Sequence, residues 1–167
     1  MTKRFLVAYG SGAGSTAEVA QAIGEEMRVG GAEVEVKSVE DVMEITDYDG
    51  VVVGSAVRAF NLLGKTKRFL RKHRKQLRQL PVAFFIVCMT MKEPTPENIE
   101  KSTKFAEPML KVKEPVSLGL FGGCMDPSKL VGIFAKTMKD MPVEDVRDWE
   151  KIRAWGNEIL PKLSGSE

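Results

Sequence analysis

Five short runs rich in Val, Ile and Phe recur along the chain, separated by longer stretches of helical period, and this alternation constrains the fold more than any other feature. The runs are Arg4 to Tyr9, Glu33 to Ser38, Gly50 to Ser55, Val82 to Cys88 and Val116 to Phe121. Continuous apolar strands bury both faces, and strands that alternate with helices pair in parallel, so the pattern predicts an α/β sheet covered by helices on both sides. Ser15 to Val29 places Val19, Ala22, Ile23 and Met27 on one helical face and stops at Gly30-Gly31, while Gly64 to Leu80 ends before Pro81. Thr95-Pro96-Glu97 and Asp126-Pro127-Ser128 each read as an N-cap followed by proline at the first helical position, and a last helix runs from about Val146 to Leu163. With no internal repeat or linker, the expectation is a single domain over residues 1–163 and a loose tail over 164–167.

Composition removes several classes of function. Two cysteines, Cys88 and Cys124, and one histidine, His73, are too few for a disulfide framework or a zinc site. A net charge of +2 provides no global field for nucleic acid. No apolar run approaches the roughly 20 residues that span a bilayer, and the first residues lead straight into a strand, so a cytoplasmic location is expected.

The ligand class is legible in the turn after the first strand. Phe5-Leu6-Val7-Ala8-Tyr9 runs into Gly10-Ser11-Gly12-Ala13-Gly14-Ser15-Thr16 and directly into a helix. Small residues let the backbone approach a bound group, hydroxyls supply donors, and the helix N-terminus offers unpaired N–H groups and a favourable dipole. This is an anion site without a cation, so the expectation is that backbone dipoles and hydroxyls alone neutralise the charge. A P-loop needs lysine before its Ser/Thr, whereas Gly14 precedes Ser15-Thr16 here. The dinucleotide fingerprint wants a third glycine where Ser15 stands, and a receiver domain needs clustered acids after the first strand.

Ser11-Gly12-Ala13-Gly14-Ser15-Thr16 resembles the phosphate loop of the flavodoxin family, Ser/Thr-x-Thr-Gly-x-Thr, with Ala13 lacking one hydroxyl. Tyr48 to Arg58 and Asp148-Trp149-Glu150 are similar to the branch of that family that includes menaquinone-dependent protoporphyrinogen oxidase. The resemblance implies a flavodoxin-like three-layer sandwich with a five-stranded parallel sheet of order 2-1-3-4-5. It implies FMN as cofactor, its phosphate held by Ser11, Gly12, Ala13, Gly14, Ser15 and Thr16, at the point where strand order reverses.

In that topology the loops after the third and fourth strands face the flavin ring. Backbone groups from Ser55, Ala56, Val57, Arg58 and Ala59 are then ring contacts, with Phe60 either stacked on the ring or packed under the loop. Arg58 is the candidate for stabilising an anionic reduced flavin or an acidic substrate. Family members place backbone donors near the ring's polar edge at the position of Cys88, Met89, Thr90 and Met91. Gly122, Gly123 and Cys124, after the last strand, are small enough to let a ring or phosphate approach. Cys88 and Cys124 end adjacent strands, and the expectation is two free thiols.

Lys65 to Arg78 carries eight Lys or Arg and no acid, with Phe69, Leu70 and Leu77 on the face turned to the sheet. A solvated face is one reading; the other is attraction to an anionic membrane surface, an acidic partner or a carboxylate-bearing substrate. Two functions follow: an electron carrier that passes electrons through FMN to a redox partner protein or a quinone, or a quinone-linked protoporphyrinogen oxidase or related FMN-dependent oxidoreductase. The basic surface departs from the acidic surfaces of familiar flavodoxins.

Overall fold

The computed structural model describes residues 2–12, 14–126, 136–137 and 140–165. Parallel strands β1 (Arg4–Gly10), β2 (Glu33–Ser38), β3 (Gly50–Arg58), β5 (Val82–Val87) and β6 (Leu118–Phe121) line up in the order β2-β1-β3-β5-β6, and a two-residue strand β4 (Asn61–Leu62) pairs antiparallel with the end of β3. Setting β4 aside, this is the 2-1-3-4-5 order. The chain reverses direction across the sheet between β1 and β3, which opens a crevice at their carboxyl ends.

The central strands β1, β3 and β5 are apolar on both faces because both are covered. On one side Phe5, Val7, Val52 and Phe85 pack against Val19, Ile23 and Met27 of α1 (Ser15–Val29) and Ile152, Trp155 and Ile159 of α6 (Trp149–Leu163). On the other, Leu6, Val53, Phe84 and Ile86 meet Phe69 and Leu70 of α2 (Gly64–Lys72), Leu77 of α3 (Arg74–Leu77), and Ala106 and Met109, the latter in α5 (Glu107–Leu110). Each fully buried aliphatic or aromatic side chain contributes about 1.5–3 kcal/mol relative to exposure, so these two cores outweigh any single polar contact.

The helix starts follow their capping chemistry. Thr95 Oγ1 accepts the Asn98 N–H at 3.1 Å ahead of α4 (Pro96–Phe105), and Asp148 caps α6 by accepting from the Lys151 N–H at 3.1 Å. The helix expected at Asp126-Pro127-Ser128 lies outside the described residues. The single helix expected from Gly64 to Leu80 is broken: His73 leaves helical geometry (φ −104°, ψ 13°), which turns its ring inward onto Phe69 with centroids 4.7 Å apart and re-aims Leu77 into the core. Burial there pushes the His73 pKa down, with Lys72 adding to the effect. No helix among the described residues is long and apolar enough to cross a membrane.

Candidate functional site

The carboxyl edge of the sheet gathers the loops after β1, β3, β5 and β6 around one cleft of about 200 Å³. Gly12, Ser15 and Thr16 line it from the first loop, Ala56, Val57, Arg58 and Ala59 from the third strand, Cys88 and Met89 from β5, and Gly123 and Cys124 from beyond β6. Val87, Met125 and Asp126 complete the wall, positions that the sequence reading passed over.

The first loop has a tight backbone of its own. Ser11 Oγ accepts the Gly14 N–H at 2.9 Å, a side-chain bond that folds the loop back on itself. Gly14 stands at φ 94°, which L side chains rarely adopt, and so leads the chain into α1 without a side-chain cap of its own. Thr16 is completely buried, and among the described residues no partner reaches its Oγ1. A helical threonine usually bonds the carbonyl four residues back, but that residue is Gly12, which lies in the loop before the helix. A buried hydroxyl without a partner costs about 1–3 kcal/mol, and Thr16 is among the residues that line the cleft at the start of α1. Those features fit a bound phosphate. Ala13 lies outside the described residues.

The loop after β1 carries no cation of its own, but one from another strand lies beside it. The Arg58 guanidinium crosses from the end of β3 and lies against Gly12, where an added Cβ would collide with Nη2 and sit 3.1 Å from Cζ. The loop lacks a cation in sequence and acquires one in space. A second cation, Arg147, sits behind the start of α1. Its Nε and Nη2 bond Asp145 at 2.9 and 2.7 Å, its Nη1 reaches Glu18 at 2.5 Å, and its guanidinium lies 4.8 Å from the centre of the Trp149 ring. Asp145 and then Glu18 hold that guanidinium charged well beyond its ordinary range, and the cluster ties the β7 (Cys124–Met125) and β8 (Glu144–Asp145) ribbon to the phosphate-loop helix. Nothing in the local sequence distinguished Arg147 from a surface charge.

The remaining expected residues divide. Ser55 is buried, and its hydroxyl contacts Thr66 Oγ1 at 2.9 Å and accepts from the Leu63 N–H at 3.4 Å, so its side chain secures β3 to the start of α2. Cys88 is also buried, with Sγ 3.6 Å from Ser102 Oγ, and burial pushes its thiol pKa up, which makes it a poor nucleophile. Cys124, half-buried, lines the same cleft. Met91 belongs to the core, and the Gly122 backbone is closed off by Val146. Thr90 and Phe60 stand outside the cleft, in an adjoining groove of about 600 Å³ that shares Met89 with it. Phe60 is 77% exposed and tilts against Phe105 with centroids 5.8 Å apart. It follows Ala59 in a two-residue hairpin turn in which both residues have positive φ, 51° and 64°, a conformation that usually calls for Asn-Gly.

The model for the flavodoxin domain matches residues 6–147, which span the phosphate loop, the cleft and the Arg147 cluster. The chain belongs to the flavodoxin family. It is 28% identical over 105 residues to protoporphyrinogen IX dehydrogenase [quinone] of Escherichia coli K12, an alignment that covers 60% of this chain. The chain spans 58% of the length of that relative. Among solved structures it resembles a flavodoxin from the domain Archaea (TM-score 0.61, 21% identity, 96% of this chain and 99% of that one). It also resembles oxidised flavodoxin 1 of Bacillus cereus (TM-score 0.63, 20% identity, again 96% and 99%). With this family and this cleft the chain is an FMN-binding redox protein.

Proposed function

We propose that Ser11, Gly12, Gly14, Ser15 and Thr16 hold the FMN phosphate, and that Ala56, Val57 and Ala59 with Cys88, Met89 and Gly123 border the ring. The buried, unpartnered Thr16 Oγ1 carries this assignment: it has a donor to give, and the cleft at the start of α1 is where an anion would take it. When bound, FMN supplies the electron chemistry, accepting and releasing one or two electrons through its ring. The residues' own work is to orient that ring at the sheet edge and keep its phosphate end anchored. Cys88, with its thiol pKa raised, borders the ring as a small apolar group rather than as a reactant.

The partner reading rests on the surface. Arg68, Arg71, Lys72, Arg74, Lys75 and Arg78 are exposed along α2 and α3, and α2 is joined near its start to β3 by the contact of Thr66 with Ser55. Such a face steers an anionic surface toward the cofactor, either an acidic redox protein or the membrane in which a quinone resides. The second reading, a quinone-linked oxidase, is favoured by the groove beside the cleft. Phe60 and Phe105 form an aromatic wall there, and Lys92, Lys101 and Lys104 border it, an arrangement suited to a flat, carboxylate-bearing substrate.

The test begins with the purified protein. It should carry an absorbance band at about 450 nm, and the flavin released from it should be FMN. Reduced protein is then offered to ferredoxin and to a menaquinone analogue, and oxidised protein to protoporphyrinogen. Electron delivery to ferredoxin alone supports the carrier, and protoporphyrinogen turnover with the quinone supports the oxidase. A colourless protein that takes up no added FMN defeats both.

A further inference from the structure

A phosphomonoester carries up to two negative charges, and the residues of the phosphate loop itself are uncharged. Two cations stand beside that loop. Arg147 is committed, since Asp145 and Glu18 both bond its guanidinium and it is only 10% exposed. Arg58 is different: no carboxylate among the described residues lies within ion-pair distance of it, and its guanidinium rests on Gly12 at the mouth of the cleft that Ser15 and Thr16 line. Its position is set by backbone. Arg58 pairs with Asn61 across the β3–β4 hairpin, and that two-residue turn, held in the unusual positive-φ conformation, fixes the strand end from which the side chain reaches back to the first loop. Gly12 is the complementary condition, because any side chain there would occupy the space of the guanidinium.

We propose that Arg58 supplies the countercharge to the terminal phosphate of FMN from across the cleft, so that this chain separates FMN from riboflavin by a charge-assisted contact that its phosphate loop cannot make. The inference rests on the FMN reading above. It moves Arg58 from the ring, where its place in the loop after β3 had put it, to the phosphate end. The guanidinium fork can meet two phosphate oxygens at once, which an ammonium cannot, so lysine should replace it only in part.

The experiment titrates flavin-free protein, wild type, Arg58→Gln and Arg58→Lys, with FMN and separately with riboflavin, following quenching of flavin fluorescence at low and high salt. Thermal midpoints of the three proteins verify that they fold alike. Loss of one charge-assisted contact corresponds to roughly a ten- to hundredfold weaker FMN affinity. Riboflavin affinity should change by less than about threefold, Arg58→Lys should fall between, and the salt dependence of FMN binding should flatten in Arg58→Gln. The ³¹P resonance of bound FMN should also move in Arg58→Gln. Equal loss for both flavins would place Arg58 on the ring and overturn the proposal, as would unchanged affinity for both. If the wild-type protein binds neither flavin, it is the FMN reading itself that fails, an outcome separable from the other two.

Discussion

Replacing Thr16 by valine should raise the stability of the flavin-free protein and lower its affinity for FMN, two effects of opposite sign from one oxygen atom. Valine has nearly the same shape as threonine, is similarly tolerated near a helix N-terminus, and leaves the buried volume unfilled nowhere. The wild-type hydroxyl is completely buried with no partner among the described residues, so the fold carries a desolvation penalty of about 1–3 kcal/mol that valine removes. A gain of about 1 kcal/mol corresponds to a rise of roughly 2–4 °C in Tm for a domain of this size. With FMN present the hydroxyl donates to a charged oxygen, worth about 1.5–3 kcal/mol, so its removal weakens binding by roughly ten- to a hundredfold. Urea unfolding of the flavin-free protein and fluorescence titration with FMN measure the two quantities in the same buffer. If Thr16→Val loses more than about 1 kcal/mol of stability while its FMN affinity stays at the wild-type value, the hydroxyl has a structural partner and the phosphate assignment is refuted.

Three other perturbations have equally definite outcomes. Changing Ala59-Phe60 to Asn-Gly relieves two positive-φ residues and should stabilise the protein by about 1–2 kcal/mol in thermal unfolding, while removing an aromatic wall of the groove; a destabilised variant would mean that the Phe60–Phe105 contact outweighs the backbone strain. Gly54→Ala drives a Cβ into the Phe85 ring in the middle of β3 and should cost about 1–3 kcal/mol or more, read as a lower urea midpoint; an unchanged midpoint would show that the sheet shifts freely there. Glu35 is held down to about 2 by the Tyr48 hydroxyl at 2.7 Å and by Arg4, so its contribution is present above the ordinary carboxylate pKa and disappears as pH falls toward 2. Since the pair is a third exposed, the effect is on the order of 1 kcal/mol or less, and Glu35→Gln should flatten the acid limb of a stability-versus-pH curve that is otherwise shared with wild type.

Much of the scaffold could be read from local pattern. Apolar runs located the five parallel strands of the main sheet and period-3.6 spacing placed α1 from Ser15 to Val29, because Val, Ile and Phe there have only the core to occupy; β3 runs on past the expected Ser55 to Arg58, and the two-residue β4 carries no such run. Thr95 and Asp148 announced their helices because a cap is a contact over three residues. The break at His73 was not visible, since whether a lone histidine in a basic helix turns inward depends on the room beside Phe69. Nor did loop membership separate Ala56 to Ala59, which line the cleft, from Phe60, which a strained turn sends into the neighbouring groove.

The amino-acid order alone determined the alternating architecture and the glycine- and serine-rich turn that leads into α1, because each depends on residues within a few positions of one another. Tertiary structure decided where charge meets that turn. Arg58 reaches Gly12, and Arg147 reaches Glu18, only because parallel strands bring the loops after β1, β3 and β6 to one edge, and contacts between groups so far apart in the chain have no period or spacing by which a sequence could display them.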